Sequence, residues 1–291
     1  MINRRNDMNR YKIITGIIFI IFLSNACTTE TNKTVEIKEQ KVNIGDYSIN
    51  YKDSGKGKHT IILETGLGMS SDTWTEIQAK LAENYRAISY DRAGYGKSEN
   101  AKAARKVDNI AKDLKLLLEK TEAPAPYILV GHSLGGYVIR KFAEMYPEKV
   151  SGMVMIDSYH EDLFKMLKDS VSEKDWNKYL GVETNAKDTL KGQESEKVEL
   201  METVLSNEMF KIPNHIPVYV LTSLEPMEDT SSFVNVTMNL HEKLSLSFVL
   251  DNENVNQTIT KSTGHFIYLE EPELLIGAVE NVVNRVEKRN Q

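Results

Sequence analysis

The chain has 291 residues, 41% hydrophobic and 27% charged, enough to bury one large core. Its net charge of −6 leaves no basic footprint and argues against nucleic acid as a partner. The only cysteine, Cys27, excludes an internal disulfide, so the fold must stand on its core.

Arg10, Tyr11 and Lys12 precede an apolar stretch, residues 13–23, that is too short to span a bilayer. A basic start, an apolar middle and small residues at 24–26 read as a signal peptide over residues 1–26. Cys27 follows Ala26 directly, which resembles a bacterial lipoprotein signal whose cysteine becomes the lipidated first residue. Leu23 stands one place further from that cysteine than such signals usually have it. The expectation is an exported bacterial protein, anchored to a membrane by lipid on Cys27 or otherwise secreted, with polar residues 27–40 as a tether.

Next, KVNIGDYSINYKDSG alternates around Gly45-Asp46 as an antiparallel hairpin. TIILETG then reads as a buried strand, residues 74–83 as a helix, YRAISYD as a strand and residues 109–120 as an amphipathic helix. Tyr127 to Val130 form a short apolar run suited to a buried parallel strand. Val138, Ile139, Phe142 and Tyr146 follow at helical spacing until Pro147. Between strand and helix stands Gly131-His132-Ser133-Leu134-Gly135, the context of a nucleophile elbow. There two residues without Cβ let strand and helix approach while Ser133 takes a strained conformation.

GMVMID, IPVYVLT and a segment near Thr258 read as further strands, with helices at 234–244 and from Pro272. This alternation predicts an α/β fold, a mostly parallel sheet covered on both faces. The core is assigned to residues 41–157 and 213–291. Residues 158–212 interrupt the rhythm with charged residues and scattered Leu, Met and Trp176, and are expected to form a helical cap over the strand ends.

In open parallel sheets ligands bind beyond the carboxyl ends of the strands. Those ends carry Thr65-Gly66-Leu67-Gly68, then Asp91-Arg92-Ala93-Gly94-Tyr95-Gly96-Lys97-Ser98, then the elbow, then Asp157. With Gly264-His265 and Glu270-Glu271-Pro272, these motifs resemble the α/β-hydrolase family over about residues 40–288. The family's usual His-Gly after the third strand is Thr65-Gly66 here. The resemblance implies an α/β-hydrolase fold and a serine hydrolase, with Ser133 as nucleophile and His265 as base in the order serine, acid, histidine. His59 precedes the serine, and His132 is the elbow's own variable position. His160, His215 and His241 lie at the cap, before a strand and inside a helix, not in a loop after the last strand.

Two readings of the acid stay open. Most of the family place it after the strand corresponding to IPVYVLT, where Glu225, Glu228 and Asp229 stand near Pro226. A subset places it one strand earlier, at Asp157. The backbone N–H groups of Leu67 and Leu134 would form the oxyanion hole. Glu64 reads as a partner for a nearby N–H or as a second acidic group in the pocket. Asp91 and Arg92 read as ties between loops, with Arg92 as a carboxylate reader the sharper alternative. This chemistry needs no metal or organic cofactor, and HEDLF and HEKLS lack the second histidine of a zinc helix. The expected substrate is a small acyl compound, a carboxylic ester by default, with Leu67, Met69, Leu134 and Tyr159 suggesting an apolar acyl site. A peptidase, lactonase or lipase of the same fold, or a binding protein without turnover, stand as alternatives.

Overall fold

The computed structural model describes residues 35–180, Glu196, Glu199, and residues 212–225, 231–250, 253–289 and 291. The leader, Cys27 and most of the tether lie outside them, as do Glu228, Asp229 and much of the expected cap. Eight strands form one sheet in the order β1-β2-β4-β3-β5-β6-β7-β8. They are β1 Ile37–Asn43, β2 Ser48–Ser54, β3 Thr60–Glu64, β4 Arg86–Tyr90, β5 Tyr127–His132, β6 Val150–Ile156, β7 Val218–Ser223 and β8 Val255–Thr260. β1 pairs antiparallel with β2, and β2 with β4; from β4 to β8 every pairing is parallel.

The sheet begins earlier than the tether boundary at residue 40, because residues 37–40 already pair with residues 51–54. Lys38, Glu39 and Gln40 are exposed on this edge arm. A strand with no buried face needs no apolar alternation, so its composition reads as tether.

The central parallel strands β3 and β5 are buried throughout because helices cover both faces, whereas β8, at the edge of the sheet, leaves Asn256 and Ile259 exposed. The α-helices with described bounds are α1 Thr75–Leu81, α2 Val107–Lys120, α3 Leu134–Met145, α4 Asp162–Ser170, α5 Glu173–Leu180, α6 Ser232–Ser245, α7 Ser247–Leu250, α8 Ile267–Glu270 and α9 Pro272–Arg289. Alternate residues along one strand join different cores. Ile62 and Leu129 pack with Leu117 of α2 and Phe142 of α3, while Ile61 and Ile128 pack with Ile77 of α1 and Val279 of α9. A third cluster lies over the strand ends. There Phe164 and Leu167 of α4 and Trp176 of α5 meet Leu134 and Val138 of α3, with Phe233 and Leu240 of α6 packed alongside. Thus α4 and α5, on the stretch assigned to the cap, share an apolar cluster with α6, which follows β7. Among the described residues no helix is long and apolar enough to cross a membrane.

Candidate active site

The chain turns from β5 into α3 within a single residue. Ser133 has φ 51° and ψ −118°, a left-handed φ that costs a side-chain-bearing residue about 1–3 kcal/mol unless its surroundings impose it. Its N–H donates to the carbonyl of Ile156 at 2.9 Å, pinning the turn to the end of β6. A Cβ on Gly131 would lie 2.6 Å from the carbonyl oxygen of Gly135, and one on Gly135 would lie 2.6 Å from that of Glu64. Only glycine permits this approach of strand, helix and the loop after β3. Ser133 is left half-buried, and Leu134 opens α3 with one of the first-turn N–H groups that have no intrahelical acceptor.

His265 reaches the same place from the loop after β8. Its Nδ1 donates to Asp157 Oδ2 at 2.7 Å, and its side chain is 33% exposed while that of Asp157 is 6%. The neighbouring elbow residue, His132, donates from Nε2 to the His265 carbonyl at 2.9 Å, and the two rings lie 4.6 Å apart. Burial, with the adjacent His265 as a second cause, lowers the His132 pKa to about 3, so this imidazole is neutral and serves as a strut. Ser223, the last residue of β7, donates its hydroxyl to the Thr263 carbonyl at 2.6 Å and so ties down the loop that carries His265.

Asp157 follows β6 with φ 43°, and its N–H donates to the Leu221 carbonyl at 2.7 Å. Its Oδ1 accepts the Ser223 N–H at 2.8 Å and the His241 Nε2–H at 3.2 Å. Burial pushes its carboxyl up, but the hydrogen bonds from His241 and His265 outweigh that and hold it at about 2. Of the two positions proposed for the acid, this one meets His265. Glu225 instead stands beside Gly264, its Oε2 3.4 Å from where a Cβ there would lie, and its N–H donates to the Ser223 hydroxyl.

His241 is the residue that sequence reasoning passed over. It sits inside α6, as expected, yet its ring is buried against Asp157, with Tyr159 edge-on at 4.9 Å. A signal was present, since Phe233, Thr237, Leu240 and Leu244 recur with His241 on one helical face. Tyr159 also stacks on His265 with ring centroids 6.1 Å apart.

Leu67 lies after β3, partly buried against the cluster that contains Leu134. Asp91 is a tie between loops: it accepts from Ser71 N at 2.7 Å and Lys97 N at 2.9 Å. Arg92 joins Glu64 at 2.8 Å to the Thr65 and Gly66 carbonyls. Glu64 is wholly buried, also accepting from the Tyr90 hydroxyl, and burial raises its pKa against the pull of Arg92. It therefore acts as a structural partner here. Among the described residues no group of three or more His, Cys, Asp and Glu is placed to hold a metal ion.

A family model described as alpha/beta hydrolase fold matches residues 59–200. A solved putative lipase of Acinetobacter baumannii aligns at TM-score 0.60 and 21% identity over 88% of this chain and 93% of its own. The chain has the α/β-hydrolase fold. An uncharacterised Bacillus subtilis protein, YqjL, is 29% identical over 231 residues, covering 78% of this chain and 85% of the relative. A Pseudomonas putida 2-hydroxy-6-oxononadienedioate/2-hydroxy-6-oxononatrienedioate hydrolase is 30% identical over 132 residues. That match spans 44% of this chain and less than half, 45%, of the relative.

Proposed function

We propose that this α/β-hydrolase fold protein is a serine hydrolase that cleaves a carboxylic ester or related acyl bond. The observation that carries the reading is the 2.7 Å contact between Asp157 Oδ2 and His265 Nδ1, on a histidine whose ring packs beside the elbow. With its Nδ1–H directed at the carboxylate, His265 keeps Nε2 as the basic nitrogen. In the proposed reaction Nε2 takes the Ser133 proton as Oγ attacks the acyl carbon, and negative charge collects on the carbonyl oxygen. The N–H groups of Leu67 and Leu134 receive that charge. His265 then gives the proton to the departing alkoxide, and water releases the acyl group by the same steps in reverse.

A fluorophosphonate should label the wild-type chain and leave Ser133→Ala unlabelled. Equal labelling of both would overturn the assignment. Turnover of p-nitrophenyl esters of graded acyl length would read the substrate preference and separate an esterase from a protein that binds without turnover. The leader before Cys27 supports an exported, lipid-anchored protein. Cys27→Ser is expected to move it from the membrane to the soluble fraction.

A further inference from the structure

We propose that Glu196, on the stretch assigned to the cap, positions the oxyanion hole by clasping Arg92 and Tyr95 around Leu67. The inference rests on the serine-hydrolase reading and names residues that tune it. A trans peptide is planar, so the carbonyl of Gly66 and the N–H of Leu67 point in opposite directions from one rigid unit. Arg92 Nη2 donates to that Gly66 carbonyl at 2.8 Å, and Nη1 donates to the preceding carbonyl, of Thr65, at 2.7 Å. Fixing the Gly66 oxygen fixes the line along which Leu67 N–H is offered. On the other side of Leu67, the N–H of Gly68 donates to the Tyr95 hydroxyl at 3.4 Å. Gly68 has φ 79°, so this short loop is conformationally permissive unless held.

Both holders converge on one carboxylate. Glu196 accepts from Arg92 Nε and Nη2, each at 2.9 Å, and from the Tyr95 hydroxyl at 2.8 Å. The side chains of Arg92, Glu64 and Glu196 have no solvent exposure. Glu64 already supplies a buried countercharge to Arg92 at 2.8 Å. Glu196 is a second buried carboxylate on the same guanidinium, 104 residues along the chain from Arg92. What it adds is direction: a two-point grip orients the guanidinium plane, and the plane orients the peptide.

The test measures kcat and KM with p-nitrophenyl butyrate, inhibition by a trifluoromethyl ketone of matching chain length, and the unfolding midpoint. The ketone is the probe of the hole, because its adduct with Ser133 carries an oxyanion there. Glu196→Gln keeps the shape and loses the two-point grip. Loss of a donor costs about 10²–10³ in kcat in comparable sites, and a misaimed one should cost less. The expected result is a fall in kcat of about tenfold to a hundredfold, KM within about twofold, and inhibition weakened by the factor by which kcat/KM falls. Tyr95→Phe, which removes one hydroxyl, should show the same pattern more mildly and provides the reading if Glu196→Gln does not fold. Arg92→Lys should match Glu196→Gln, since charge without the fork is insufficient. Wild-type kcat and inhibition in a folded Glu196→Gln or Tyr95→Phe would overturn the proposal. So would loss of kcat and inhibition in unequal proportion, or loss only alongside a collapsed unfolding midpoint. A wild-type chain that neither turns over the ester nor labels at Ser133 would overturn the serine-hydrolase reading and this inference with it.

Discussion

Asp157 accepts from two imidazoles and one peptide N–H through a carboxylate that is almost wholly buried. The hydrogen bonds from the two imidazoles explain why its pKa falls although burial alone would raise it. Replacing it by asparagine keeps the shape but presents an N–H where an acceptor is needed, which favours the wrong histidine tautomer. Asp157→Asn should therefore lower kcat by about 10⁴, while Glu225→Gln stays within about twofold of wild type in the same ester assay. His241→Leu should fall between them at about tenfold, since it withdraws one of three donors and leaves the His265 contact in place. Equal losses at Asp157 and Glu225 would reject this ranking.

At the scale of elements, the site depends on three backbones meeting where a methyl group has no room. A Cβ on Gly135 would lie 2.6 Å and 2.7 Å from the Glu64 and Thr65 carbonyls, so Gly135→Ala must push α3 away from the loop that carries Leu67. Overpacking of this kind costs about 1–3 kcal/mol, and kcat should drop more than tenfold because Leu67 and Leu134 separate. Gly277→Ala is the control: nothing lies within 4 Å of a Cβ there, in α9, and it should stabilise by about 0.5–1 kcal/mol. Thermal unfolding with ester kinetics reads both. These elements were legible in the sequence because each is a local pattern: an apolar run for β5, helical spacing for α3, and glycines around a serine. The choice between Asp157 and the cluster of Glu225, Glu228 and Asp229 was not, because both positions follow strands, and the contact with His265 depends on a left-handed turn at Asp157 that aims its carboxylate at a distant loop and at helix α6. His241 and Glu196 were hidden for the same reason. Each reaches its partner across 84 or 104 residues, and even the helical spacing that puts His241 on an apolar face does not name Asp157 as what it meets.

Considered as a whole, the molecule keeps an imidazole neutral beneath its proposed reaction centre, and this has a consequence independent of catalysis. Burial and the neighbouring His265 depress His132 to about 3, whereas an unfolded histidine has a pKa of about 6.5. Between those values the unfolded chain takes up a proton that the folded chain refuses, so stability falls as pH falls, by about 1.4 kcal/mol per unit for one proton. Asp157 acts in a lower window: its contribution is intact above an unfolded pKa of about 3.9 and is lost as pH drops toward about 2. His132→Gln keeps a side-chain N–H for the His265 carbonyl but has no proton to gain. Wild type and variant should therefore differ little more at pH 7 than at pH 8, while at pH 5 the variant should gain about 2 kcal/mol on wild type relative to its standing at pH 7. Denaturant titrations across pH 5–8 give the comparison, and carboxylates common to both chains cancel from it. Parallel curves would mean that residue 132 is protonated alike in the folded and unfolded chains, and that it is not a neutral strut.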